Sequence, residues 1–132
     1  MFINSHLATG YLLYKLNIFE KKWFPIWILS AWIPDIDGLW SSSVVEHHSV
    51  LHTQIFWIVL CSLGWIIGHL QKNINIKTFF IILFIGTFAH LFTDYITART
   101  VGIKWLYPLN DVDYFSLIHI SEPTRRYSIS YA

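Results

Sequence analysis

Charge is scarce in this sequence. Asp, Glu, Lys and Arg make up 13% of its 132 residues, roughly half of what a soluble globular domain carries. Cysteine occurs once, at Cys61 inside an apolar run, which excludes an intrachain disulfide and leaves a buried small apolar residue as the simplest reading. There is no basic stripe and no RNP-like pattern of aromatics, and the formal net charge is +1, so no nucleic-acid partner is expected. Residues 1–10 have no basic n-region and include Asn4, Ser5 and His6 before any apolar run, so no cleavable signal peptide is expected. No internal repeat is visible, and the length leaves no room for a second independent core.

Apolar residues are abundant. Hydrophobic types reach 55% and aromatics 18%, with a mean hydropathy of +0.48. That composition predicts an all-α, multi-helix integral membrane bundle of about four helices, with the lipid bilayer as its first partner. Ser5 or Asn4 is placed to cap a first helix reaching residue 16 or 19, in which Leu7, Tyr11, Tyr14 and Ile18 share helical spacing. Glu20-Lys21-Lys22 ends it. A second apolar segment, 23–33, carries Pro25 in its first turn, where a missing amide proton costs nothing. Pro34-Asp35-Ile36-Asp37-Gly38 stops that segment, and a Ser-rich loop follows over 39–46. A third helix is expected to start near 47–51 and run to about Leu70, and a fourth to span about 75–96. The stretches 55–67 and 79–91 are the expected membrane spans; 23–33 alone is too short for a hydrocarbon core of about 30 Å.

Helices joined by short connections run up and down, and that rule sorts the ionisable residues. His6 opens the first helix, Asp35 and Asp37 close the second, His47, His48 and His52 open the third, and His90 and Asp94 close the fourth. All of them fall at one end of the bundle. Lys15, Lys21, Lys22, Lys72 and Lys77 fall at the other. Lysines flanking spans favour the cytoplasmic side, so the His/Asp end is expected to face away from the cytoplasm; Arg99 and Lys104 run against that assignment. His90 and Asp94 lie one turn apart on one helical face after a long apolar run, and ionisable groups there are costly without a partner or an ion. Imidazole and carboxylate together suit a divalent metal, zinc first and manganese or iron as alternatives, as one ion or two.

Each residue taken singly also has an ordinary structural role. His6 can be a capping or interfacial residue, Asp35 and Asp37 a turn, His47 and His48 a solvated loop, and His52 a hydrogen-bonded core histidine. His69 belongs to the lysine end and reads as interfacial. Trp32, Trp40, Trp105 and Tyr107 read as an aromatic belt at the membrane interface.

Taken in order, His6-Leu7 with Gly10, Ile33-Pro34-Asp35-Ile36-Asp37, His47-His48-Ser49-Val50-Leu51-His52-Thr53, Gly86 through His90 with Asp94, and Gly102 with Leu106-Tyr107-Pro108 resemble the YdjM-like family of membrane-bound metal-dependent hydrolases. The resemblance covers His6 to about Leu117. The third motif of that family reads His-Arg-Gly-x-x-His-Ser, which maps its histidines onto His47 and His52 and puts His48 where the family has arginine and Ser49 where it has glycine. Those helices are in turn distantly similar to zinc-dependent phospholipase C, whose His-x-x-x-Asp helix matches His90 and Asp94 and whose His-x-x-x-Glu helix has no counterpart here. The resemblance implies an inner-membrane, multi-pass metal-dependent hydrolase acting on a small phosphoester or a lipid. His52, His90 and Asp94 are then the leading ligands, followed by His6, Asp35 and His47. Asp35 or Asp37 is the candidate base for a metal-activated water, and a protonated His48 is the candidate phosphate contact in place of the arginine. Thr93 and Thr97 are near enough to orient a carboxylate or the substrate.

Residues 1–117 form the expected membrane-embedded domain. Residues 118–132 form a polar tail, a candidate non-native or truncated end, that breaks the helical pattern. The competing readings are a haem-binding bundle with two axial histidines, a metal carrier or sensor without turnover, and a structural membrane protein without a site. Oligomeric state has no signature in the sequence.

Overall fold

A computed structural model describes residues 3–39, 50–97, 103–110, 112 and 114, the side chains of residues 3, 4 and 37–39 excepted. Four α-helices dominate the described residues: α1 (Ile3–Lys15), α2 (Phe24–Trp32), α3 (Gln54–Leu70) and α4 (Ile74–Thr97). Short 3-10 helices cover Lys21–Trp23, Ile33–Leu39 and Val50–His52. Among the described residues there is no strand, only an isolated bridge between Ile103 and Tyr114. The fold is all-α, as the composition predicted.

The helix limits differ from the sequence reading in two places. The first helix already includes Ile3, so Asn4 and Ser5 lie inside it rather than capping it. It ends at Lys15, with Asn17 taking a left-handed conformation at φ 53° and closing the turn through its amide to the Tyr14 carbonyl at 3.1 Å. The third helix begins at Gln54 rather than near 47–51: Val50–His52 is a 3-10 turn, and Thr53 is extended at φ −110° and ψ 130°. The α3–α4 connection is tight. Lys72 is left-handed at φ 52°, and the Asn73 side chain accepts hydrogen bonds from the amides of Asn75 and Ile76 at 3.0 and 3.3 Å, capping α4 as an Asn should.

Small residues set how closely the helices pack. A Cβ on Gly10 of α1 would stand 2.6 Å from the Trp27 carbonyl oxygen of α2, and one on Gly86 of α4 would overlap the Ser30 side chain of α2. The α1–α2 and α2–α4 crossings are therefore backbone-close, as membrane helices without large interfacial side chains tend to be. Trp57, Cys61, Leu83 and Leu91 form a core cluster between α3 and α4, with Trp105 packed against it. Trp105 also meets Phe88 and Tyr95, so it packs on α4. Cys61 is free and buried.

Much of the outer surface is apolar. Ile58, Val59, Leu60, Leu63, Trp65, Ile66, Ile67 and Leu70 of α3 are all exposed, a larger patch than soluble monomers usually show. Of the two expected spans, α4 is long and apolar enough to cross a bilayer. At 17 residues, α3 extends about 25 Å, short of a full hydrocarbon thickness.

Candidate metal centre

Four elements deliver the polar residues to one rim. α1 begins there with His6, the 3-10 helix following α2 brings Asp35, the 3-10 turn before α3 brings His52, and α4 ends there with His90 and Asp94. His6, His52 and His90 are at most 1% exposed and Asp94 is 5% exposed, so these are interior groups.

Pro34 shapes the Asp35 limb. Lacking an N–H, it breaks the helical ladder, and in the i→i+3 pattern of the 3-10 helix the Ala31 carbonyl faces a residue with no proton to give. His90 serves that carbonyl from α4, with Nδ1 placed 2.8 Å from the oxygen. The carbonyl can only accept, so Nδ1 carries the proton and Nε2 points away, into the centre. His6 is arranged the same way. The Thr93 hydroxyl donates to the His90 carbonyl at 2.8 Å and so has only its oxygen to offer His6 Nδ1, 3.5 Å away. A third brace acts on His52: the Trp57 indole donates to the Leu51 carbonyl at 2.8 Å, holding the turn beside it.

Each of the three Nε2 atoms meets both carboxylates. From His90 the distances are 3.1 Å to Asp94 Oδ2 and 3.4 Å to Asp35 Oδ1. From His6 they are 3.2 Å to Asp94 Oδ1 and 3.7 Å to Asp35 Oδ2. From His52 they are 3.5 Å to Asp35 Oδ1 and 3.8 Å to Asp94 Oδ2. His6, Asp35, His90 and Asp94 each offer one ligand atom within 4.8 Å of the other three, and His52 stands at the edge of that group.

These residues fit a metal ion. The His6 and His90 rings stack at 3.8 Å between centroids, so charging both would set two cations face to face. A neutral ring of this tautomer turns a bare nitrogen lone pair toward a carboxylate oxygen, and Nε2 of each is buried without a hydrogen bond among the described residues. A cation between nitrogen and oxygen removes that repulsion. Ligand atoms 2.0–2.1 Å from a tetrahedral ion lie about 3.3 Å apart, in the middle of the observed separations. Without an ion and with the imidazoles protonated, burial pushes the Asp35 carboxyl upward, but polar contacts with His52 and His90 and the charges of His90 and His6 outweigh it and hold the group well below the usual carboxylate range.

The structure thus brings together His6, Asp35, His52, His90 and Asp94, five of the candidates read from the sequence. Asp37 lies on the same 3-10 helix as Asp35, its side chain outside the description. His47 and His48 lie outside the described residues, as do Trp40 and Arg99. Thr93 contacts the His6 ring rather than a carboxylate, and Thr97 donates to the carbonyls of Thr93 and Asp94. His69 is exposed at the lysine end and stacks on Trp65. Sequence reasoning missed the Ala31 carbonyl and Trp57. The only signals for them were a proline three residues after Ala31 and an aromatic one turn into α3.

Fold and site together define an all-α helical protein with a buried histidine and aspartate centre that can hold a metal ion. The chain belongs to the YdjM inner membrane protein family, which matches residues 1–130. The match continues past residue 117 into the polar segment. No characterised protein and no solved structure matches the chain.

Proposed function

We propose that this protein is a membrane-bound metal-dependent hydrolase that cleaves a phosphoester, with phospholipids among the candidate substrates. The observation that carries the reading is the convergence of His6, Asp35, His90 and Asp94 from three separate limbs of the fold onto one ion-sized space, with His52 beside them. A divalent ion, zinc by preference of the donor set, would supply Lewis-acid activation of water and a counter-charge for a phosphoryl oxygen. Asp94 and Asp35 orient each of their two oxygens toward imidazoles, so both serve as ligands. The base role falls to Asp37, two residues beyond Asp35 on the same helix. His47 and His48 precede the His52 turn in sequence, His47 as a further ligand and a protonated His48 as a contact for substrate phosphate.

The protein is read as multi-pass, with the His/Asp rim away from the cytoplasm and Lys15, Lys21, Lys22, Lys72 and Lys77 at the cytoplasmic end. A haem-binding role is disfavoured by the stacked His6 and His90 rings, which lie side by side rather than across the width of a porphyrin. A carrier or sensor would use the same ligands without turnover.

The test is elemental analysis of the purified protein beside a His90→Ala, Asp94→Ala double variant, followed by a panel of phosphoester substrates. Bound divalent metal and hydrolysis in wild type, both lost in the variant, are expected. Metal without turnover on any phosphoester would favour the carrier, a Soret band the haem protein, and equal metal content in both samples would remove the centre.

A further inference from the structure

The N-terminus of α3 follows directly on the His52 turn and has no side-chain cap among the described residues. Thr53 occupies the capping position, yet its hydroxyl donates backward to the Val50 carbonyl at 2.7 Å. The amides of the first turn, with the positive end of a 17-residue helix behind them, are thus left to another acceptor. Two residues before α3 begins, His52 reaches the centre at 3.5 Å from Asp35.

A second, independent feature points to the same place. Gln54, the first residue of α3, is 7% exposed, and both its Nε2 and Oε1 lack a hydrogen-bond partner among the described residues. A buried carboxamide with neither atom paired is rare, because its desolvation is uncompensated. Its position excludes a packing role facing outward. Gln54, Trp57, Cys61, Gly64 and Gly68 are the buried residues of α3, one stripe at helical spacing, and Trp57 shares a core cluster with Leu91 of α4. The two helices are antiparallel neighbours. One turn from Trp57 toward the rim is Gln54, and one turn from Leu91 toward the rim is Asp94, so Gln54 stands at the level of the ligands.

We propose that Gln54 and the first-turn amides of α3 form an oxyanion subsite that binds the non-bridging oxygens of a phosphoryl group held at the adjacent metal centre. This rests on the hydrolase reading above and deepens it, since it assigns the substrate's phosphoryl group a second anchor besides the ion. Helix N-termini bind phosphate through the same combination of unpaired amides and dipole. The carboxamide of Gln54 adds two donors, and the centre's own two carboxylates cannot contribute any.

The experiment is a titration of the full-length, metal-loaded protein in detergent with inorganic phosphate, for wild type, Gln54→Leu and Gln54→Glu, with metal content measured on the same samples. Leucine removes an unpaired polar group from an apolar setting, so that variant should fold at least as well as wild type. Saturable phosphate binding is expected in wild type. It weakens about ten-fold in Gln54→Leu, the effect of one hydrogen bond to a charged group, and further in Gln54→Glu, with metal content unchanged in both. Displacement of phosphate by short-chain phosphatidic acid supports the subsite with a lipid-borne phosphoryl group. Displacement only by glycerol phosphate supports it with a soluble ester. Metal-loaded samples whose phosphate affinity ignores residue 54, or that bind no phosphate, overturn the subsite alone; wild type without metal overturns the hydrolase reading and the subsite with it.

Discussion

His90 of α4 donates its Nδ1 proton to the carbonyl of Ala31 in α2 across 2.8 Å. That bond does three things. It satisfies an acceptor that Pro34 cannot serve, ties the two helices together at the rim, and leaves Nε2 facing Asp94 and Asp35 at 3.1 and 3.4 Å. Histidines that ligate metals are usually fixed in this way, by a backbone or carboxylate acceptor on the far nitrogen.

Thr93 plays the same part for His6. Thr93→Val keeps the shape but removes the oxygen that accepts from His6 Nδ1, and metal affinity should fall about ten-fold. Thr93→Ser should restore it. Competition with a chelator of known affinity reads both, and equal affinity in the valine variant would show that Thr93 serves only its own helix.

Gly86→Ala tests the close crossing of α2 and α4. The added methyl overlaps the Ser30 side chain, so the helices must part near both Ala31 and His90, at a cost of about 1–3 kcal/mol. Thermal unfolding in detergent should show the loss. Ser30→Gly combined with Gly86→Ala should recover most of it, and no recovery would place the strain elsewhere.

Acid should strip the metal. Zinc-type ligation requires neutral imidazoles, so protons compete with the ion and occupancy declines as pH falls. In metal-free protein a second effect appears at lower pH. Asp35 has its folded carboxyl held below its ordinary value of 3.8, so its stabilisation is complete above that value and is lost as pH drops beneath it. Asp35→Asn should therefore unfold with a shallower pH dependence between about 5 and 2 than the metal-free wild type; parallel curves would contradict the assignment.

Orientation can be read by labelling. In a Cys61→Ala background, Asn73→Cys marks the lysine end and Val50→Cys, at an exposed position, marks the rim. A membrane-impermeant maleimide should label the Val50→Cys protein where the non-cytoplasmic face is accessible, and the Asn73→Cys protein only after the membrane is opened. The reverse pattern would invert the proposed topology.

How much of this was legible beforehand varied by residue. His6, Asp35, His52, His90 and Asp94 could be assigned to one end from helix order alone, because helices that reverse direction from one to the next place all five there. The start of the third helix was misplaced because the stretch from His47 to Leu51 looks no less helical than the residues after Thr53; the extended Thr53 that separates the 3-10 turn from α3 has no local sequence signal. Gln54 offered a weak one, a carboxamide opening an otherwise apolar helix.

The sequence by itself determined the helical class, the membrane-like composition and the separation of histidines and aspartates from lysines, since these come from periodicity, hydropathy and chain direction. Only the tertiary structure decided which ring nitrogens face the centre, that Ala31 and Thr93 hold them there, and that Gln54 is buried without a partner among the described residues. Those outcomes depend on small differences in distance between residues far apart in the chain, such as His90 and Ala31, and such distances are set by packing between helices rather than by anything written locally in either one.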